Sequence, residues 1–305
     1  MINIRKVGSS LLGAMTVMAS VAMAGTAYSD VKPYQGIPVD QAEFISTPDH
    51  IISMVTSGAP TAIWQTLEHG ESVECLQCIP YVAPLLYNAN AKNREIAAWW
   101  LRRRTYGVFG PGEVYSQTVN NLASSSDAQT RAYAASALGE FLITSGIGPV
   151  ANALKGDSSA IVRAAAATAL GRLNDDGSGG GVPGALAAAF SDSDATTRAA
   201  AFVAAGRINS FVDVASAVKV TGDSDALVRR VGIELLDEMD ATDAVAAVVA
   251  LAQSDPDSEV RLVACHALGT FGDASAVSAL TSIAANDSNG QVQDQAKIAL
   301  LRIQN

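Results

Sequence analysis

Small and apolar residues recur along most of this chain at helical spacing, in a phrase that begins with arginine and ends in Ala-Leu-Gly. The clearest copies are Arg131–Gly139, Arg163–Gly171 and Arg261–Gly269. Aligning weaker copies on the arginine gives seven, which start at residues 94, 131, 163, 198, 229, 261 and 293. Their intervals of 31 to 37 residues are typical of solenoids built from stacked helical units.

Two columns of this alignment define a helix with one buried face. Three residues after the aligned position the side chain is always small: Ala97, Ala134, Ala166, Ala201, Gly232, Ala264 and Ala296. Seven residues after it an apolar side chain recurs: Leu101, Leu138, Leu170, Ala205, Leu236, Leu268 and Leu300. Because these offsets lie on one helical face, each copy predicts an amphipathic helix. An apolar run upstream, such as Val245–Ala252, predicts the first helix of each pair.

Aspartate or asparagine precedes each of these helices. Six residues before the arginine stand Asp157, Asp192, Asp223, Asp255 and Asp287, and four residues before it stand Asp127, Asp194, Asp225 and Asp257. In the first copy the same two positions hold Asn88 and Asn90. Asp and Asn are favoured in turns and at helix N-caps, where the side chain accepts hydrogen bonds from free backbone N–H groups. The pattern therefore predicts a short turn inside every helix pair.

The combined pattern, Asp-x-Asp-x-x-x-Arg followed by Ala-Leu-Gly, resembles the short HEAT-like repeats of the phycobilisome-lyase type over residues 74–305. The resemblance implies an all-α fold, an α-solenoid of about seven HEAT-like helix pairs. Two short helical patterns within residues 47–73 predict a degenerate N-terminal cap. In that family the arginine and the turn aspartate typically form a ladder between neighbouring units. The resemblance therefore implies a ladder in this chain that ends at Gln293. Its arginines are Arg94, Arg131, Arg163, Arg198, Arg229 and Arg261.

The N-terminus has the features of a secretory signal over residues 1–24. Arg5 and Lys6 precede an apolar stretch, and Ala22-Met23-Ala24 offers a small-residue cleavage site. An uncleaved membrane anchor is the alternative. With cleavage after Ala24, the sequence predicts a periplasmic or secreted protein that is not inserted in a membrane. Residues 25–46 lack periodicity and contain two prolines, which favours an extended segment.

The net charge of the chain limits the classes of partner that it can bind. The formal net charge is −10, which disfavours binding to nucleic acid or to anionic lipid. Only 6% of the residues are aromatic, so most of the apolar content is aliphatic or alanine. The composition and the repeat together predict that the partner is another protein or an envelope complex. The sequence leaves the oligomeric state open.

Cys75 and Cys78 form the most specific local motif. A c-type haem site would need histidine next, and Ile79 stands there instead. In an oxidising compartment the spacing predicts a local disulfide, with thiol exchange as a second interpretation and a metal site as a third. Cys265 aligns with a mostly apolar column, which predicts a buried free thiol.

The residues needed for catalysis are not arranged in a recognisable motif. His50, His69 and His266 are far apart in the sequence, and no nucleophile lies at a motif spacing from a base. We therefore expect no enzyme activity, no cofactor and no metal. A cofactor-lyase activity is implied only by the resemblance, and it stays as an alternative function beside thiol exchange through Cys75 and Cys78.

Trp99 is the most informative candidate for binding. It occupies a mixed, surface-like column, and Glu95, Trp99, Arg102 and Arg103 share one helical face. A neighbouring column adds Arg172 and Arg207, which predicts a partly basic stripe on the second-helix face. An exposed tryptophan beside arginines has the composition of an interface hot spot. The predicted function is an exported protein-binding scaffold; alternatively, residues 25–46 cover Trp99, or the ring is simply exposed. Trp100, its neighbour, is expected to pack against the cap.

Overall fold

The computed structural model describes residues 47–105, 112–173, 181–208, 211 and 213–304. The predicted signal peptide and the segment 25–46 lie outside these residues. Within them the chain forms sixteen α-helices and no strand, so the predicted all-α class is confirmed. None of the helices in this part of the chain combines the length and the apolar character needed to cross a membrane.

The helices follow the predicted pairs. The cap region contains α1 (Pro48–Ser57) and α2 (Pro60–His69), and the first copy contains α3 (Ile79–Val82) and α4 (Ala91–Thr105). Copies two to four contain α5 (Glu113–Ser124) and α6 (Ala128–Phe141), α7 (Ile147–Gly156) and α8 (Ala160–Leu173), and α9 (Val182–Ala189) and α10 (Ala195–Gly206). Copies five to seven contain α11 (Val214–Val218) and α12 (Ala226–Glu238), α13 (Val245–Ser254) and α14 (Ser258–Phe271), and α15 (Val277–Asn286) and α16 (Gly290–Gln304).

Aspartate side chains start many of the second helices. Asp127, Asp194, Asp225 and Asp257 each accept hydrogen bonds from backbone N–H groups in the first turn of α6, α10, α12 and α14. These bonds satisfy donors that have no partner inside the helix. The predicted capping role of these four residues is therefore confirmed.

The first helix of copy one is broken into short pieces. Residues 76–78 and 83–87 form 3₁₀ turns on either side of the four-residue helix α3. Pro80 and Pro84 lie within this stretch, and proline supplies no N–H to a helical hydrogen-bond ladder. The disulfide between Cys75 and Cys78 closes the loop that precedes α3. Copy one is thus built differently from the copies that follow it.

The second helices stack directly on one another from α4 to α16, and glycines allow the closest approaches. A Cβ atom added at Gly139 would lie 2.8 Å from Ala169 Cα, and one at Gly171 would lie 2.9 Å from Ala204 Cα. Gly269 makes the same approach to Ala299. The glycine of the Ala-Leu-Gly phrase is therefore required by contact between helix backbones.

This packing predicts opposite results for two glycine substitutions. Gly139→Val should lower the free energy of unfolding by about 2 kcal/mol, because its side chain would push α6 away from α8. Gly184→Ala in α9 is the control, since its Cβ would meet no atom within 4 Å; it should raise the free energy of unfolding by about 0.5 kcal/mol. Urea denaturation followed by circular dichroism measures both. Equal destabilisation by the two variants would contradict the packing argument.

Candidate functional site

Five arginine–aspartate pairs connect consecutive copies. In each pair the arginine Nε and Nη2 donate to both oxygens of an aspartate in the next copy, at 2.6–2.9 Å. The Nη1 of the same arginine donates to a carbonyl in the turn of its own copy. The pairs are Arg131–Asp157, Arg163–Asp192, Arg198–Asp223, Arg229–Asp255 and Arg261–Asp287.

The pairs hold their aspartates in the ionised state. Hydrogen bonds from the arginine lower the pKa of Asp157, Asp192 and Asp287. For Asp223 and Asp255, burial pushes the pKa upward, but hydrogen bonds from the arginine and from a backbone N–H outweigh it, so the pKa is again lowered. Each pair is therefore a charge-assisted bidentate contact that fixes one copy on the next.

The ladder ends differently at its two ends. At the C-terminal end the Gln293 side chain donates to the backbone carbonyl of Asp287. At the N-terminal end the prediction that Arg94 forms a rung is wrong, because the position of the aspartate in the next copy is occupied by Ser125. Arg94 Nη1 still donates to the carbonyls of Asn88 and Ala89, and its guanidinium lies 4.0 Å from the centre of the Tyr133 ring.

The residues predicted around Trp99 lie on one surface of α4. The Trp99 residue is 37% exposed, and Glu95, Arg102 and Arg103 are exposed as well. Arg103 donates to Glu71 at 2.9 Å and so connects α4 to the cap region. Trp100 is fully buried and donates from Nε1 to the carbonyl of Gly70 at 3.1 Å, which confirms that it packs against the cap.

Acidic side chains lie beside two arginines of the predicted, partly basic stripe. Arg172 forms an ion pair with Glu140 of the preceding copy. Burial raises the pKa of Glu140, and the charge of Arg172 opposes this rise. Burial raises the pKa of Glu238, the charges of Glu234 and Asp237 raise it further, and the charge of Arg207 opposes this rise. The second-helix face therefore carries charges of both signs.

A cleft opens between α4 and α6 on this face. It has a volume of about 210 Å³. Its lining residues are Leu86, Ala91, Arg94, Glu95, Ala98, Tyr133, Ser136, Ala137, Glu140 and Arg172. Arg102 occupies the column that holds Gly139 and Gly171 in the following copies, and α4 contacts α6 less extensively than α6 contacts α8. The structure thus brings Glu95 and Arg172 to one cleft, while Arg207 belongs to a later copy.

Arg104 is an important residue that the sequence interpretation missed. It is only 4% exposed and its guanidinium lies 3.4 Å from the centre of the Trp100 ring. Its two Nη atoms donate to the carbonyls of Trp100, Gly70, Glu71 and Val73. Burial lowers its pKa to about 10. Ten residues after the aligned position, the other copies hold apolar residues: Phe141, Leu173, Ile208, Met239, Phe271 and Ile303. An arginine at this position in copy one was therefore a signal that the sequence contained.

The cysteines are inaccessible. Cys75 and Cys78 are disulfide-bonded and are 3% and 0% exposed. Cys265 is a free, fully buried thiol whose pKa is raised to about 12, mainly by burial. Thiol exchange needs a thiolate that reaches an exposed sulfur, and none of these sulfurs meets that condition. In the part of the chain that the structure describes, no group of three His, Cys, Asp or Glu residues is arranged to hold a metal ion.

Comparison with known proteins agrees with this architecture. Residues 116–201 and 214–301 match the family of HEAT repeats. The chain belongs to the HEAT-repeat family. The resemblance predicted from the Asp-x-Asp-x-x-x-Arg pattern is therefore confirmed, and so is the α-solenoid. Comparison with curated proteins finds no match.

Several solved structures are similar to this HEAT-repeat chain, and the first of them shows the same fold. The X-ray structure of Escherichia coli YibA is 17% identical, with a TM-score of 0.56; the match covers 89% of this chain and 98% of YibA. An archaeal HEAT-like repeat protein from Thermococcus onnurineus NA1 is 15% identical over 74% of this chain and 97% of its own, with a TM-score of 0.49. The CpcE–CpcF phycocyanin lyase of Nostoc sp. PCC7120 is 19% identical over 74% of this chain and 88% of its own, with a TM-score of 0.40.

Proposed function

We propose that this HEAT-repeat protein is an exported scaffold that binds another protein through its second-helix face, at the N-terminal copies. The observation that carries the proposal is the exposed Trp99 ring on a face of charged and small side chains. An aromatic ring gains most when a partner removes it from water, and flanking charges select the partner by complementarity. Trp99, Arg103 and the cleft beside α4 provide these elements together.

Export is proposed from the N-terminal sequence and from the cysteines. Residues 1–24 combine a basic start, an apolar stretch and a small-residue cleavage site. The disulfide between Cys75 and Cys78 fits an oxidising compartment such as the periplasm or the exterior of the cell. Both features support the same location.

The alternative functions receive less support. The burial of Cys75 and Cys78 favours a structural disulfide over an exchange factor. A cofactor-lyase function would rest on likeness of fold, and a fold hosts many unrelated functions. Binding through the face is therefore the proposal, without enzymatic activity.

The test is capture of partners from the native envelope fraction with wild-type protein and with a Trp99→Ala, Arg103→Glu double variant. Loss of the aromatic ring and reversal of the adjacent charge should reduce the recovered partner by about tenfold or more. Tyr81→Ala is the matched control, because Tyr81 is also exposed, at 46%, but lies on α3. Quantitative mass spectrometry measures each partner, and equal recovery with all three proteins would refute the proposed surface.

A further inference from the structure

Arg94 is the only aligned arginine among the described residues whose next copy lacks the ladder aspartate. Ser125 stands at that position and ends α5 with φ −62° and ψ 134°. Asp157 and Asp255, at the equivalent places after α7 and α13, have nearly the same backbone angles, −69° and 136°, and −63° and 134°. The turn is therefore built as in the other copies, and only the carboxylate is missing from it.

A ladder aspartate makes two interactions, and the Ser125 side chain can make only one of them. Its Oγ accepts a hydrogen bond from the backbone N–H of Asp127 at 3.3 Å, as Asp157 Oδ1 does from Ser159 at 2.8 Å. The second interaction is a bidentate contact, in which two oxygens accept hydrogen bonds from one arginine. A serine hydroxyl cannot provide them.

The guanidinium of Arg94 is held ready for a carboxylate. Its Nη1 donates to the carbonyls of Asn88 and Ala89 at 2.7 and 2.9 Å, and the equivalent own-turn bond accompanies each bidentate pair in the later copies. The Tyr133 ring supports the guanidinium from one side. The edge formed by Nε and Nη2 makes no ion pair with a carboxylate of the described residues. Because its orientation is fixed already, binding a carboxylate would cost little side-chain entropy.

Arg94 also lines the cleft of about 210 Å³ between α4 and α6. The second arginine of this cleft, Arg172, is already paired with Glu140. Glu95 and Glu140 are the two acidic residues of the lining, and their charges disfavour ligands with several negative charges. The volume and the charges suit a single carboxylate group on a small or extended ligand.

We propose that the cleft between α4 and α6 binds a single carboxylate, which completes the missing rung by accepting from Nε and Nη2 of Arg94. The carboxylate belongs either to an Asp or Glu side chain of a partner polypeptide or to a small free carboxylic acid. The first source rests on the proposed scaffold function, since the partner on Trp99 would then insert an acidic residue beside it.

Ser125→Asp tests this site because it supplies the carboxylate from within the chain. The new side chain should occupy Arg94 as Asp157 occupies Arg131, and so exclude an external carboxylate. Ser125→Asn is the matched control, because it has a similar size but carries no charge. Neither substitution removes a buried side chain, since Ser125 is half-buried at the end of a helix.

The measurement is nuclear magnetic resonance of the arginine Nε–Hε signals, with the Arg94 signal assigned by Arg94→Lys. The probes are sodium acetate, the peptide acetyl-Ala-Glu-Ala-amide and its Gln analogue, at low ionic strength so that exposed charges are weakly screened. We expect a saturable shift of the Arg94 signal with a carboxylate probe in wild-type protein and Ser125→Asn. In Ser125→Asp the affinity should fall by about tenfold or more.

The outcomes distinguish a polypeptide carboxylate from a small free acid. They also distinguish the carboxylate site from the proposed binding surface around Trp99. Binding of the Glu peptide more tightly than acetate assigns a polypeptide carboxylate, and the reverse order assigns a small free acid. No shift with either probe, or equal shifts with the Gln analogue or in Ser125→Asp, would overturn the site. The titration needs no partner, so its failure leaves the Trp99 capture result intact, and failed capture leaves the titration result intact.

Discussion

Arg104→Met should lower the free energy of unfolding by about 3 kcal/mol, with the loss confined to the N-terminal end of the solenoid. Methionine fills part of the volume but donates no hydrogen bond. The carbonyl of Glu71 would then lose the 2.7 Å hydrogen bond from Arg104, and one face of Trp100 would lose its cover. Because copies contact mainly their neighbours in a solenoid, the damage should stay local.

Hydrogen exchange measured by mass spectrometry tests the location of this effect. Amides in α2 and α4 should exchange faster in Arg104→Met, while those in α14 and α16 should keep the wild-type rate. Arg103→Met is the matched control, since its ion pair with Glu71 is 55% and 38% exposed and such pairs contribute about 1 kcal/mol at most. Unchanged exchange in α2 and α4 would show that Arg104 does not hold the cap.

Asp255→Ala should have a comparable or larger effect, with a loss of about 4 kcal/mol in the free energy of unfolding. Arg229 and Asp255 are the most buried pair of the ladder, at 8% and 5% exposure. Removing the carboxylate leaves the buried guanidinium of Arg229 with one of its three hydrogen bonds. The cost comes mainly from this unpaired charge. Urea denaturation measures it, and Glu234→Ala, which breaks an exposed pair with Arg230, is the control.

The ladder also predicts how stability depends on pH. The pKa of each ladder aspartate is lower in the folded protein than the unfolded value of about 3.9. The stabilisation is therefore fully present above that unfolded value and is lost as the pH falls through the lowered pKa values. Asp255→Ala should show a smaller loss of stability on acidification from pH 6 to strongly acidic pH than wild-type protein. The same loss in both would contradict the contribution assigned to this pair.

Most of the fold could be predicted because the same pattern of residues recurs along the chain. A column of small residues, a column of leucine and a turn aspartate appear in register in copy after copy, so chance agreement at one position matters little. The caps on α6, α10, α12 and α14 followed from the same columns. The failure at Arg94 had a visible cause, since Ser125 departs from the aspartate column.

The candidate site was harder to predict because it depends on departures from the repeat. Trp99 was recognised from its unusual column, and its exposure agrees with that assignment. The stripe was predicted as only partly basic, and the structure adds that Glu140 pairs with Arg172 across two stacked helices. A column shows which face a residue occupies, but the charge that it meets depends on the distance between helices.

By itself, the sequence determined the helical class, the repeat, its turns and the residues of the buried columns. These features are local, since consecutive copies are neighbours along the chain and periodicity records which face is buried. Only the tertiary structure decided that Arg104 lies against the cap, that Arg103 meets Glu71, and that a cleft opens beside Arg94. Those contacts join residues about a full repeat apart through the docking of irregular segments, whose positions depend on packing and hydrogen bonds that no periodic pattern encodes.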